Sequence, residues 1–171
     1  MQLRNLAEVV ETFRLMQGSP LNVIFGKPWH FTHSYSERHV DFAAQSAGVY
    51  IYTEPVTPDW NVPLEQSPAA VWYIGKSDGA LAGRVWAHVG AIRDPETGKE
   101  CVPRFKYHEW AAQQSVPQSI RDSVANGNVV VYTIRIHLVG EPPGYAQALE
   151  KFLLASHFRN TASLPPLNRG L

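Results

Sequence analysis

The residues of this chain that could do chemistry are few and far apart. Arg84 and His88 stand four residues apart, the spacing that sends two side chains to the same side of a helix. They border an apolar stripe of Leu81 and Val85, so they read either as a charged pair aimed near a sheet or as surface residues with packed stems. Glu150 has Ala146, Leu153 and Leu154 within one helical turn. A carboxylate with such neighbours is partly dehydrated, and an unpaired buried charge costs on the order of several kcal/mol. A bound cation would compensate it. A structural salt bridge, for instance with Arg84, would serve equally well. Tyr50 and Tyr73 lie in two stretches with strand character, where tyrosines commonly just pack. His30 and His33 have no further ligands nearby and read as structural. Cys101 is the single cysteine, which excludes an internal disulfide, and no Cys/His cluster has zinc-finger spacing.

These side chains need elements to hold them. Leu3, Leu6, Val10 and Phe13, joined by Val9 and Met16, recur at helical steps until Gly18 and Pro20 end the pattern. Residues 21–45 keep no sustained period and read as a loop or a subdomain of unassigned form. A strand is expected over 48–53, with Tyr50 and Tyr52 on one face and Val49 and Ile51 on the other. Pro55, Pro58, Pro63 and Pro68, with Glu54, Asp59 and Glu65 and no Lys or Arg, make 54–68 an extended acidic loop. A second strand covers about 70–75. Asp78 and Gly79 mark a helix start, with Leu81, Val85 and Val89 along its buried stripe. Residues 91–127 read as an irregular insertion with one short helix near 119–125. The strongest strand is 128–139, where Val130, Tyr132, Ile134, Ile136 and Leu138 share one face and Thr133, Arg135 and His137 the other. A last helix spans about 145–158, followed by a Pro-containing tail. Three strands with helices packed on them can bury one core.

The chain has 171 residues, 44% of them hydrophobic and 18% charged. At this length roughly 70% of the unfolded surface can be buried, so a core needs no disulfide or structural metal. Met1 to Gln17 lacks a signal-peptide core, and no apolar run is long enough to span a bilayer. A soluble, cytoplasmic protein with no membrane partner is expected. Fifteen basic and fifteen acidic residues balance.

In combination, these residues carry more meaning. Gly48-Val49-Tyr50 followed by Tyr73-Ile74-Gly75 resembles the paired tripeptides of the GIY-YIG nuclease superfamily. Arg84, within Gly-Arg-Val-Trp-Ala-His, resembles the helix arginine that some members follow four residues later with a histidine, here His88. Glu150 resembles the helix glutamate that holds the metal, and Asn168, in Pro-Pro-Leu-Asn, the late asparagine. Val49 replaces isoleucine in the first tripeptide. The loop between the tripeptides is longer than in compact members, an insertion that restriction-endonuclease-like members tolerate. The resemblance covers about residues 48–168.

What it implies is an α+β domain over 48–171 with a small three-stranded, mainly antiparallel sheet flanked by helices. Insertions fall at about 54–69 and 91–127; residues 1–47 lie outside the resemblance and are expected, from their own helical stripe, to form an N-terminal helical extension. It also implies a metal-dependent endonuclease acting on nucleic acid, with DNA the expected substrate. Glu150 would hold one Mg²⁺ (or Mn²⁺), for which one carboxylate plus waters and phosphate suffices. Arg84 would clamp the phosphate through its planar fork. Tyr50 or Tyr73 would be the general base, its ordinary pKa of about 10 lowered by Lys76, Arg84 or His88. His88 could share the proton transfer, and Asn168 would position the site's backbone or a tyrosine. With no overall basic excess, local charge must attract the substrate, and Lys76, Arg135 and Lys151 are the candidates, with Arg93, Arg159 and Arg169 nearby in type. Phe105 to His108 mixes aromatic and basic residues, as a stacking platform or simply as a packed loop. Other readings are a catalytically silent binding module, a toxin-like nuclease, or a restriction enzyme that forms a homodimer to cut both strands.

Overall fold

The computed structural model describes residues 6–17, 22–26, 29–30, 46–55, 70–79, 81, 84–85, 89–93, 100–105, 116–125, 128–137 and 144–168. Helix α1 is Leu6–Gln17, strand β1 Asn22–Phe25 and β2 Trp29–His30. Strand β3 is Ala47–Thr53 and β4 Val71–Ser77. A hairpin follows, β5 Val89–Arg93 and β6 Glu100–Phe105. Helix α2 is Gln118–Ala125, β7 Val130–His137 and α3 Tyr145–Thr161.

The architecture is α+β, an antiparallel sheet of order β1-β7-β3-β4 packed against three helices. The two-residue β2 pairs further along the same edge of β7 as β1. The sheet is therefore wider than the expected three strands. The extra strands come from residues 22–25 and 29–30, inside a stretch that lacks any period because strands of four and two residues are too short to display one. The expected insertion also holds regular structure, since β5 pairs with β6 as a separate two-stranded sheet. Val89 begins that hairpin, so it does not continue the helical stripe of Leu81 and Val85.

Period-two patterning decides which side chain enters which layer. Val49 and Ile51 of β3, Ile74 of β4, and Val130, Tyr132, Ile134 and Ile136 of β7 form one buried face. Against it pack Val9, Val10 and Phe13 of α1 and Ala146, Leu149, Leu153 and Leu154 of α3. The Phe13 and Phe152 rings meet at 5.7 Å, tying the first and last helices together. On the opposite face Tyr50, Tyr52, Trp72 and Val131 pack with Leu81, Val85, Val116, Val124 and Leu167. Strand β3 is thus covered on both sides.

Helix α3 runs three residues beyond its expected end. It stops where Ala162 turns left-handed (φ 57°) and returns its N–H to the Phe158 carbonyl at 2.8 Å. Among the described residues no helix is long and apolar enough to cross a membrane.

Leu149 is fully buried between α3 and the sheet. Replacing it with alanine should cost about 2–5 kcal/mol, read as a lower midpoint in urea unfolding. Leu15→Ala, at a site 67% exposed, should stay within about 0.5 kcal/mol of the parent. Equal effects would mean that this core does not carry the fold.

Candidate active site

The paired tripeptides meet in space. In the β3–β4 ladder Tyr50 lies opposite Gly75, Tyr52 opposite Tyr73 and Gly48 opposite Ser77. The long loop between the strands does not disturb this register, because its neck is closed twice. The Glu54 N–H donates to the Ala70 carbonyl at 3.1 Å, and the Ala70 N–H donates to the Glu54 carboxylate at 2.8 Å. The register slips only beyond the site, between Tyr52 and Thr53.

Two glycines make the close approach possible. A Cβ at Gly75 would lie 2.6 Å from the Tyr50 hydroxyl and against the Tyr73 ring. A Cβ at Gly48 would run into the Ile134 carbonyl of β7. With these side chains missing, Tyr50, Tyr52 and Tyr73 gather as one aromatic cluster. Tyr50 and Tyr52 lie 5.3 Å apart, Tyr50 and Tyr73 5.8 Å, and Tyr52 stacks on Tyr73 at 5.5 Å and 24°. Tyr52 escaped the sequence reading as a site neighbour, although its alternation with Tyr50 was the available signal.

Tyr50 is fully enclosed and Tyr73 partly so. Burial pushes the Tyr50 phenol far above the ordinary range. The neighbouring Tyr73 phenol adds to the rise, and the Arg84 guanidinium, hydrogen-bonded to Tyr50, opposes it. Burial and the adjacent Tyr73 phenol together keep the Tyr50 phenol neutral.

Arg84 reaches the cluster from the helical residues that follow β4. Leu81 anchors that segment by donating its N–H to the Ser46 carbonyl at 3.0 Å, and Leu81 and Val85 are buried on the tyrosine side of the sheet. Arg84 is exposed at its outer end. His88 lies outside the described residues, as do Arg169 and residues 106–108 of the mixed aromatic-basic stretch.

Glu150 arrives from the other layer, on α3, which packs against β3 and β4. It is partly buried, and burial raises its carboxyl above the usual range. Lys76 pulls the other way, Asp78 adds to the rise, and Lys151 and Arg84 oppose it. Among the described residues no cation forms an ion pair with Glu150, while Arg14 pairs with Glu11 and Lys76 with Asp78. The structural salt bridge weighed for this residue is therefore absent from that set. Arg84 is the shared neighbour, bonded to Tyr50 and within electrostatic reach of Glu150.

Asn168 serves the backbone. Its amide donates to the Ile74 carbonyl at 2.8 Å and accepts the Ile74 N–H at 2.9 Å. The Leu167 N–H adds a bond to the Trp72 carbonyl at 2.9 Å. Since β4 is the last strand of the sheet, this side chain behaves as a further strand along the edge between Tyr73 and Gly75.

Lys76 and Lys151 flank Glu150, Lys76 partly buried and Lys151 exposed. Arg135 lies on β7 opposite Gly48. Among the described residues no group of three or more His, Cys, Asp or Glu forms a metal cage. One partly buried carboxylate without an ion pair suits a hydrated magnesium ion, which binds through one or two carboxylates and keeps its waters. It does not suit zinc, which takes several protein ligands.

No family model, no curated protein and no solved structure matches the chain.

Asn168→Ala removes both bonds to Ile74 and leaves edge groups of β4 without partners. A loss of about 1–3 kcal/mol is expected in denaturant unfolding. No measurable change would mean that water replaces the amide at no cost.

Proposed function

We propose that this protein is a GIY-YIG-type endonuclease that hydrolyses phosphodiester bonds of DNA with one Mg²⁺ or Mn²⁺ ion. The observation that carries this reading is the position of Arg84, bonded to a motif tyrosine while its charge also reaches a partly buried Glu150 that has no ion pair among the described residues. A phosphate is the ligand that such an arrangement lacks. The order Gly48-Val49-Tyr50, Tyr73-Ile74-Gly75, Arg84, Glu150, Asn168 supports the family assignment, as does the pairing of the two tripeptides in register.

In this reading Glu150 and waters hold the ion, which when bound polarises the phosphate and offsets charge on the leaving oxygen. Arg84 holds a non-bridging phosphate oxygen through charge-assisted hydrogen bonds. Tyr73 takes the general-base role on the attacking water, because Tyr50 is enclosed and held neutral. Tyr50 keeps Arg84 and Tyr73 in place through its hydroxyl. Lys76 and Lys151 supply positive charge beside the carboxylate, drawing a polyanion to a chain with no net charge. Asn168 fixes the strand that carries Tyr73. The opposite placement of Glu150 and the tyrosines, on two layers of the fold, also fits a silent DNA-binding module, in which binding persists without cleavage.

Plasmid nicking with Mg²⁺ and with EDTA tests the reading. Cleavage should require the ion and vanish in Glu150→Ala, whereas cleavage that survives this change would rule out the metal-ligand role. Tyr73→Phe should cost about 10²- to 10⁴-fold in kcat, and Tyr50→Phe clearly less; the reverse order would exchange the two roles.

A second test needs no activity. The Glu150 carboxyl is raised in the folded state, so its ionised form weakens the fold as pH climbs through that raised value. Glu150→Gln should therefore raise Tm in EDTA at pH 7.5 and erase the Mg²⁺-dependent rise shown by the parent. A parent protein with no Mg²⁺-dependent shift would count against the site.

A further inference from the structure

Among the described residues, the Arg135 guanidinium has no protein partner at its buried Nε. It is partly buried on β7, and its Nε is enclosed with no acceptor. Among the described residues it makes no hydrogen bond or ion pair. Thr133, two residues earlier and almost fully buried, likewise has a hydroxyl with no partner among the described residues. Enclosed donors are nearly always satisfied, and an unsatisfied donor points to a ligand or solvent that completes it.

The register places both beside the candidate active site. Thr133 lies opposite Tyr50 and Arg135 opposite Gly48. Alternation along β7 puts them on the tyrosine side of the sheet, away from Ile134 and Ile136 in the other core. Gly48 offers no side chain to cover Arg135. The Leu81 bond to Ser46 brings the Arg84 segment to this same end of β3. Diagonal cross-strand neighbours stand about 7–8 Å apart, so Arg135 starts one step along the sheet from Tyr50, where Arg84 is bonded. Arg121 on α2 also has an unpartnered Nε, but no strand register ties it to Tyr50.

We propose that Arg135 binds a second phosphate of the nucleic-acid strand, next to the phosphate held by Arg84, and so sets how the strand lies across the tyrosine face. This rests on the nuclease reading for the identity of the strand. Arg135 touches neither the proposed ion nor the attacking water. Its contribution is to affinity and register, and it appears in KM with kcat nearly unchanged. Its planar fork suits a phosphate better than an ammonium does.

The experiment measures binding of a fluorescent DNA duplex in EDTA, so that no strand is cut, over a series of salt concentrations. Arg135→Gln should weaken binding about 10-fold near 0.1 M salt and reduce the magnitude of the log K against log salt slope by about 0.9, one phosphate's worth. Arg135→Lys, which keeps stem and charge, should preserve the slope and bind more weakly at every salt. Arg14→Gln, on α1 and paired with Glu11, is the control for charge alone and should change affinity much less. Equal losses for Arg135→Gln and Arg14→Gln overturn the proposal, as does parent-like binding by both Arg135 variants. Should Arg135→Gln not fold, the lysine variant decides, with parent-like affinity overturning it. Cleavage by the parent separates the two ideas. A parent that nicks DNA while Arg135 variants bind normally loses only this subsite; a parent that never nicks, with Arg135 variants still impaired in binding, loses only the nuclease reading.

Discussion

Burial of β3 on both faces is the constraint on which the rest of the structure depends. A strand covered on one side can send its polar residues to water, but this one cannot. Val49 and Ile51 settle into the core built by α1 and α3, while Tyr50 and Tyr52 enter the opposite core. The tyrosine hydroxyls must then find partners inside the protein, because an enclosed polar group without one costs about 1–3 kcal/mol. The Tyr50 hydroxyl finds them in Tyr73 and Arg84. The chemistry-bearing face is thus a consequence of placing two phenols in a strand with no exposed side. The missing side chains at Gly48 and Gly75 make that placement sterically possible.

Much of this was legible in the sequence, for physical reasons that differ by element. Strand β7 announces itself because eight residues alternate between two environments, and α3 because Leu149, Leu153 and Leu154 return to one side. The β3–β4 pairing was legible through its glycines and tyrosines, despite the long loop between the strands. Strands β1 and β2 were not, since they add an edge to β7 through backbone hydrogen bonds that leave little imprint on residue choice. The β5–β6 hairpin was missed because Pro103 lies within one of its strands and reads as a breaker. At the candidate site, the border of Ala146, Leu153 and Leu154 correctly suggested a dehydrated Glu150. The influence of Asp78 on that carboxylate was not foreseeable, because it depends on how the end of β4 meets α3. Asn168 stands ninety-four residues from Ile74, and no local pattern connects them.

The distribution of charge follows a similar logic. The chain as a whole is neutral, yet Lys76, Arg84 and Lys151 all act on one carboxylate without forming an ion pair to it. Lys76 is paired with Asp78 and Arg84 is bonded to Tyr50, so their charge reaches Glu150 only through space. Solvent weakens such attraction at exposed positions, so its use is in orienting a ligand more than in stabilising the fold.

The grip of Asn168 and Leu167 on β4 has a consequence for solubility. An open sheet rim is a template for any extended chain that drifts past, and the rim at Trp72 and Ile74 is sheathed by a few residues of the tail. Peeling those residues away would bare a ladder on which one molecule could stitch itself to the next, so Leu167 and Asn168 also act as a guard against self-association.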